Sequence, residues 1–191
     1  MSEVPSLSEQ PASPETVDPG RVAIRPARAS DARHLRAWRG EASVREHQPL
    51  REVSLAQLRA DLATSNPSDL YRGRGDRFIW IVEHNGRPCG WITLVVSNWE
   101  HGLSEIGYAL STSFQNRGVM AAALTLLLPD IFLRTTLERL EARCSVDNLA
   151  SQRVLEKLGF LREGTLRGYF RLRGRRVDHA LYALLRDDFL P

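Results

Sequence analysis

The sequence has few cysteines, a single lysine and no long apolar run, and each shortage excludes a class of protein. Cys89 and Cys144 are the two cysteines among 191 residues, too few for a disulfide framework or a cysteine metal cluster. The five histidines are scattered along the chain without the spacing of metal ligands, so no metal site is expected. No stretch approaches the roughly 18 apolar residues that a membrane-spanning helix needs.

Residues 1–20 are polar, contain four prolines and have no apolar centre, unlike a secretory signal peptide. This composition predicts a disordered tail. Together with the two cysteines, which we expect to be buried free thiols, it predicts a cytoplasmic protein without membrane contact. The net charge of +3 is mildly basic, and Lys157 is the single lysine among 26 lysines and arginines.

The remaining residues, 21–191, suit one domain with an apolar core, because 42% of the chain is hydrophobic. Residue patterns predict strands at 21–25, 78–82, 91–96, 105–110, 140–146, 161–171 and 177–185. They predict helices at 31–38, 54–63, 121–133 and 151–158, and a loop at 66–75. Asn85-Gly86 is a hairpin turn signal, and Pro129 is expected to kink or split the third helix. The order of elements indicates a single mixed α/β (α+β) domain.

A candidate anion site lies where the third helix begins, at Gln115–Ala121. The amino-terminal end of a helix carries unpaired N–H groups and a partial positive charge, which together favour a bound anion. Gly118 removes side-chain bulk from the preceding turn, and Arg117 adds a nearby cation. Taken alone, this pattern also fits a glycine that simply begins a helix.

From Glu105 onward the sequence resembles the GNAT superfamily of acyl-CoA-dependent N-acetyltransferases. Within it, the resemblance is to the ribosomal-protein N-terminal alanine and serine acetyltransferases. The residues that match, in the order and spacing of that family, are Glu105–Tyr108, Gln115–Met120, Asp147–Phe160, Glu163–Arg167 and Val177–Tyr182. The resemblance implies a mostly antiparallel central sheet of about six to seven strands flanked by helices. It also implies a V-shaped splay between the fourth and fifth strands.

The same resemblance implies acetyl-CoA as co-substrate, with no metal. The pantetheine arm would pair with the strand residues Tyr108, Ala109 and Leu110. The pyrophosphate would be held by the turn residues Gln115, Asn116, Arg117, Gly118, Val119, Met120 and Ala121. Asn148 and Ser151 would lie against the pantetheine or thioester.

Candidate catalytic groups follow from the resemblance, and each has a structural alternative. Glu105 is a candidate base for the amine, and the alternative is a surface glutamate paired with an arginine. Ser151 is a candidate for protonating or hydrogen-bonding the coenzyme sulfur, or else an N-cap of the helix that follows. Tyr108 alternates to the face opposite Glu105 and is expected in the core, although it remains a further option. His179 is interpreted as structural.

The resemblance favours direct transfer to a protein N-terminal α-amine, such as that of a ribosomal protein. Tyr169 is a candidate for lining the acceptor site. One branch of the subgroup has a glutamate where this chain has Phe170, so a small amine (a polyamine, an antibiotic or an amino acid) stays open as acceptor. A non-catalytic acyl-CoA-binding module is a further alternative. Monomer and homodimer are both compatible with the resemblance.

The last predicted hairpin is basic, with Arg162, Arg167, Arg171, Arg173, Arg175 and Arg176. Such a patch could bind an acidic protein, ribosomal RNA or the 3′-phosphate of the coenzyme. No RNA-binding motif accompanies it, so nucleic-acid binding is not expected. A solvated hairpin face is the favoured interpretation.

Overall fold

The computed structural model describes residues 21–189, so the predicted disordered tail at 1–20 lies outside the described residues, as do residues 190 and 191. The strands are β1 (Val22–Pro26), β2 (Arg77–His84), β3 (Arg87–Asn98), β4 (Leu103–Leu110), β5 (Arg139–Ser145), β6 (Leu161–Leu172) and β7 (Arg175–Leu185). The helices are α1 (Ala32–Gly40), α2 (Ala42–Arg45), α3 (Leu55–Thr64), α4 (Pro67–Leu70), α5 (Val119–Arg134), α6 (Leu149–Lys157) and α7 (Arg186–Phe189).

All the strands form one seven-stranded sheet in the order β1-β2-β3-β4-β5-β7-β6. Every neighbouring pair is antiparallel except β4 and β5, which are parallel. This confirms the predicted mixed, mostly antiparallel sheet. Asn85 and Gly86, with φ of 53° and 70°, join β2 to β3 in the left-handed geometry that the sequence predicted.

The parallel pair separates partway along its length. Cα pairing of β4 with β5 runs from Leu103–Arg139 to Ile106–Ala142. Beyond that point β4 continues to Leu110 alongside β3, and β5 continues to Ser145 alongside β7. The carboxyl-terminal ends of the two strands therefore diverge, and the predicted V-shaped splay is present between them.

Side chains alternate across the sheet, so its two faces carry different helices. One face packs against α5 and α6 through the larger core cluster, which contains Ile106, Leu124, Leu127 and Phe132. The other face packs against α1 and α3 through a smaller cluster that includes Trp91. We call the first the α5 face and the second the α1 face. Within residues 21–189, no helix combines the length and apolar character needed to cross a bilayer.

Four details differ from the sequence prediction. Pro129 lies inside α5, yet the helix runs without a break from Val119 to Arg134. Burial of its apolar face against the sheet offsets the single backbone hydrogen bond that proline removes. The predicted loop at 66–75 contains α4, which begins with an Asn66 cap and Pro67. The short α2 was not predicted, and α6 begins two residues earlier than expected, at Leu149.

Candidate functional site

The last residues of β4 present their backbone to the splay. Ser111 N donates to Cys89 O at 2.8 Å, so the odd-numbered residues of β4 exchange backbone hydrogen bonds with β3. The even-numbered residues Tyr108 and Leu110 alternate with these. Their N–H and C=O groups point away from β3, to the side from which β5 has separated. This edge can pair with an extended chain that carries amides.

Two glutamine side chains hydrogen-bond to carbonyls at this edge. Nε2 of Gln48, in the segment between α2 and α3, donates to Tyr108 O at 2.9 Å. Nε2 of Gln115 donates to Leu110 O at 2.9 Å and to Ser43 Oγ at 3.2 Å. Gln115 therefore supports the strand that the predicted coenzyme site uses. Gln48 was not predicted, because a lone glutamine in a loop has no sequence signature.

The turn before α5 has the backbone of an anion site. Gly118 is the N-cap of α5 with φ of 73°, and Asn116 has φ of 58°; glycine adopts this left-handed conformation without steric cost. Ala122 N donates back to Gly118 O at 3.0 Å. The three preceding amides point out of the helix end and lack intrahelical acceptors; they belong to Val119, Met120 and Ala121.

Side chains around this turn fit a contact made through the backbone. Asn116 and Arg117 are exposed. The Met120 side chain is buried in the core, so it leaves its own amide uncovered. The small buried side chains of Ala121 and Ala123 let α5 lie close to the sheet.

A hydroxyl pair lies on the α5 face at the splay. Tyr108 Oη and Ser151 Oγ are 2.9 Å apart, which joins β4 to the first turn of α6 across the gap. Burial raises the pKa of Tyr108, and the hydrogen bond with Ser151 opposes this rise only in part. The phenol therefore keeps its proton at neutral pH. Burial also raises the pKa of Cys144 to about 11, which argues against a reactive thiolate there.

Asn148 rather than Ser151 caps α6. Its Oδ1 accepts a hydrogen bond from Ser151 N at 3.1 Å, and α6 begins at the next residue, Leu149. The alternative interpretation of Ser151 as an N-cap is thus wrong, because Asn148 already fills that position. The Ser151 hydroxyl is left to face Tyr108. The predicted coenzyme contact of Asn148 stays a prediction, and its side chain has this structural partner.

Glu105 lies on the α1 face and pairs with Arg143 of β5. Arg143 also contacts Glu141 Oε2 at 2.5 Å. The Glu105 side chain is 43% exposed, so solvent and an incoming amine can both reach the carboxylate. The arginine partner matches the structural alternative given for this residue, and the predicted role as base stays a prediction.

Aromatic side chains border the same face at the end of β5. His179 is the Cα partner of Ser145, the last residue of β5. Its imidazole is buried under Tyr169 and Phe170, with ring centroids 5.6 and 5.0 Å away. Burial lowers the pKa of His179, so the ring is neutral at pH 7. The Arg143 guanidinium lies 5.8 Å from the centroid of Tyr169, which connects this group to Glu105.

A cavity of about 390 Å³ opens on the α1 face, between α1, α3 and strands β2 and β3. Its lining includes Trp91 and Thr93 of β3, and Thr93 is the Cα partner of Gly107. A Cβ placed on Gly107 would have no atom within 4 Å, so the space above this glycine is open. A larger cavity, about 640 Å³, lies between β1, α3 and α5. It contains none of the predicted site residues.

A polar network joins Glu41, the residue between α1 and α2, to the turn after β4. The Glu41 carboxylate accepts hydrogen bonds from Ser111 Oγ at 2.8 Å and from Thr112 N and Oγ1, each at 2.6 Å. Burial would raise the pKa of Glu41, but these hydrogen bonds outweigh it and lower the pKa. Sequence analysis missed Glu41 because its partners are about 70 residues away in the chain. In the part of the chain that the structure describes, no cluster of His, Cys, Asp or Glu is placed to hold a metal ion.

Comparison with known proteins gives a consistent result. A family model described as "Acetyltransferase (GNAT) domain" matches residues 21–161. The uncharacterized N-acetyltransferase p20 of Bacillus licheniformis is 29% identical over 178 residues, which span 92% of this chain and 98% of that protein. The [ribosomal protein uS5]-alanine N-acetyltransferase of Escherichia coli is 31% identical over 86 residues, 45% of this chain and 44% of that protein.

Solved structures share the fold at lower identity. The ribosomal L7/L12 alpha-N-protein acetyltransferase RimL, in complex with coenzyme A, superposes with a TM-score of 0.76 at 23% identity, covering 88% of this chain and 96% of that one. The ribosomal-protein-S5-alanine acetyltransferase of Vibrio fischeri superposes with a TM-score of 0.77 at 22% identity, covering 90% and 96%. At this identity the likeness shows the fold alone.

Proposed function

Because the chain belongs to the GNAT acetyltransferase family, and is therefore an acyltransferase, we propose that it transfers the acetyl group of acetyl-CoA directly to the α-amine of a protein N-terminus. The observation that carries the proposal is the splay between β4 and β5, with different chemistry on its two sides. The hydroxyl pair of Tyr108 and Ser151 lies on one face. Glu105 and an open space above Gly107 lie on the other.

The donor fits this chain in two places. The amides of Val119, Met120 and Ala121 at the α5 end suit the pyrophosphate, and Gly118 keeps the approach clear. The β4 edge at Tyr108 and Leu110 suits the amides of the pantetheine arm. Acetyl-CoA, once bound, supplies an activated thioester carbonyl. The chain supplies orientation and the groups that handle protons.

On the α5 face, Ser151 hydrogen-bonds the coenzyme sulfur as it leaves in this proposal, and Tyr108 is the proton source; the 2.9 Å distance between their hydroxyl oxygens supports this pairing. On the α1 face, Glu105 accepts the amine proton, directly or through a water molecule. An α-amino group, with a pKa of about 7.7–8.0, needs little help to deprotonate at neutral pH, whereas lysine, at about 10.4, needs much more. An exposed carboxylate is thus a sufficient base for an N-terminus but a poor one for lysine.

A small cationic amine such as a polyamine is the alternative acceptor. The cavity beside Thr93 is lined by three carboxylates and two guanidinium groups, those of Asp61, Asp69, Asp76, Arg39 and Arg77. The excess of negative charge fits a small cation in that cavity. The alternative from another class, a non-catalytic acyl-CoA-binding module, would bind the donor and release no thiol.

Two measurements test the proposal. Acetyl-CoA at about 100 times its Kd should stabilise the protein by about 2.7 kcal/mol, an increase in Tm of roughly 5–10 °C for a chain of this size. Thiol release should then be faster with N-terminal peptides than with the same peptides blocked at the α-amine and carrying a lysine. Turnover with polyamines alone would select the alternative acceptor. A Tm shift without thiol release from any amine would select the binding module.

A further inference from the structure

The β6–β7 hairpin extends past the end of β5. Ser145, the last residue of β5, pairs with His179, and Val146 N donates to Asp178 O at 3.1 Å. The β7 residues before Asp178 continue outward, paired only with β6. We call residues 167–178 the basic arm. Its part beyond β5 is about 13 Å long, from the rise per strand residue of roughly 3.3 Å.

The arm carries positive charge that no ion pair among residues 21–189 neutralises. Five arginines of the arm are exposed: Arg167, Arg171, Arg173, Arg175 and Arg176. None of the five forms an ion pair within residues 21–189, whereas Arg139 and Arg143, just beside the arm, each contact two glutamates. The one carboxylate of the arm, Asp178, accepts a hydrogen bond from Gly168 N at 2.7 Å.

Two of these arginines repel each other across the hairpin. Arg171 and Arg176 are direct cross-strand partners, and like charges in that position destabilise a hairpin. Arg176 Nη1 donates to Gly168 O at 2.7 Å, a contact that holds the guanidinium but leaves its charge unbalanced.

The position of the arm determines what can lie along it. β4 and β5 diverge at their carboxyl-terminal ends, and the arm projects beyond that same end of β5. Tyr169 and His179 border the α1 face there. A peptide whose first residue enters the splay from this face can leave past the arm, which borders that entrance.

We infer that the basic arm docks an acidic segment that follows the N-terminal residues of a protein acceptor. This inference rests on the proposed function and adds a substrate class to it. The exposed length matches about four extended residues. Exposed ion pairs contribute little individually, so the arm selects acceptors through the sum of several contacts and through faster encounter.

The arm favours an acidic peptide over RNA. Binding to single-stranded RNA uses aromatic faces on which bases stack. The two aromatic side chains of the arm pack on each other, with Tyr169 and Phe170 centroids 4.4 Å apart, and both contact His179. These contacts leave 38% and 37% of the two residues exposed and no free pair of ring faces, whereas all five arginines of the arm are exposed.

The test compares two N-terminal peptides that share their first two residues and then carry either four acidic residues or four glutamines. At low salt, kcat/KM should be about tenfold higher for the acidic peptide, and the difference should vanish at about 0.3 M salt. The variant Arg173→Gln/Arg175→Gln, at the tip of the arm and on the side that carries Val177 and His179, should lose the preference while acetylating the glutamine peptide at the wild-type rate. The control variant Arg72→Gln/Arg74→Gln removes the same amount of charge beside α4, at the other end of the sheet. It should keep the preference for the acidic peptide.

Equal kcat/KM for the two peptides, or a preference that survives in the arm variant, overturns the inference and leaves the proposed function intact. An RNA hairpin that binds more tightly than the acidic peptide, and loses affinity in the arm variant, overturns it in favour of RNA. If neither peptide is acetylated, the proposed acceptor fails. Direct binding of the labelled acidic peptide to wild type and to the arm variant then still decides the role of the arm.

Discussion

Two hydroxyl groups at the splay form a connected pair, and their contributions can be separated. Ser151 Oγ is proposed to contact the leaving sulfur, and Tyr108 lies 2.9 Å behind it. Because burial raises the pKa of Tyr108, the phenol remains a donor throughout the pH range of amine acetylation. Groups that act in series are not additive when they are removed.

We therefore expect Ser151→Ala to lower kcat by about 100-fold, the lower end of general acid effects, and Tyr108→Phe to lower it less. The double variant should be no slower than Ser151→Ala within about twofold. Steady-state thiol release at saturating acetyl-CoA measures all three, and a Tm for each variant controls for folding. A double variant whose loss equals the product of the single losses would show that the two hydroxyls act independently.

Gln48 occupies a carbonyl that the proposed coenzyme site also uses. Its amide donates to Tyr108 O in the splay, where a pantetheine amide would have to bond instead. Without this side chain, the coenzyme no longer has to displace a hydrogen bond that contributes about 0.5–1.5 kcal/mol. Gln48→Ala should thus tighten acetyl-CoA binding by roughly 2–10-fold and raise KM for the acceptor, because the segment between α2 and α3 loses an anchor.

Titration calorimetry with coenzyme A and peptide kinetics measure these two effects separately. Gln57→Ala, on the exposed side of α3, is a matched control that removes a glutamine bonded to Asp61 and should change neither quantity. Weaker coenzyme binding in Gln48→Ala would mean that Gln48 holds the strand open for the coenzyme rather than competing with it.

At the scale of elements, β3 lies against β4 at Gly90, opposite the end of β4 that borders the splay. A Cβ on Gly90 would be 2.4 Å from Ala109 O and 2.7 Å from Leu110 Cδ2. Glycine at position 90 is thus required by the neighbouring strand, and its substitution displaces the backbone that the coenzyme is proposed to use.

Gly90→Ala should destabilise the protein by about 1–3 kcal/mol, as over-packing does, and should weaken coenzyme binding through the shift of β4. Urea unfolding and titration calorimetry measure the two effects. Gly107→Ala, on the neighbouring strand β4, is the matched control, because its Cβ would meet no atom within 4 Å. It should change the free energy of unfolding by no more than about 0.5 kcal/mol. Similar losses in both variants would contradict the role assigned to close strand packing.

The elements also show where local patterns succeed and where they do not. The Asn85-Gly86 turn and the alternating strands of the hairpin are encoded within a few residues, and sequence analysis predicted them. Pro129 does not split α5, because the burial of this helix against the sheet is not contained in a local pattern, and the predicted kink stays a prediction. Asn148 and Ser151 both favour the N-cap position and lie three residues apart, so the sequence is compatible with either as the cap of α6. The structure has Asn148 in that position.

For the whole molecule, the family resemblance predicted the sheet and the splay, since both depend on motifs from Glu105 onward. It did not predict Gln48, Glu41 or the partner of Glu105. These contacts join residues 38 to 71 positions apart. The first two depend on how the α1–α3 segment folds over β4, and the third depends on the alignment of β5 with β4. The donor side of the site was therefore more predictable than the acceptor side, which is built from long-range contacts.

The stability of the whole domain depends on a nearly buried ion pair at its edge. Asp31 accepts hydrogen bonds from Arg25 Nη1 and Nη2 at 2.7 and 2.8 Å and from Arg28 N at 2.8 Å. Burial would raise the pKa of Asp31, but these bonds outweigh it and lower the pKa from its ordinary 3.8. The contact ties β1 to α1, and with it the outer strand to the α1 face.

A carboxylate whose pKa is lower in the folded state stabilises that state above its unfolded pKa and loses this effect as the pH falls through the folded pKa. Asp31→Asn should cost about 2–3 kcal/mol at pH 7, less than the typical loss for a buried pair, since Arg25 keeps its bond to Glu83. The gap between the free energies of unfolding of wild type and variant should close progressively below about pH 4. Urea unfolding across this pH range measures the difference in the free energy of unfolding.

Glu41 and Glu163, whose pKa values are also lowered, titrate in both proteins, so their effects cancel in the difference. A gap that persists unchanged to pH 2 would mean that the variant loses packing rather than a charge interaction.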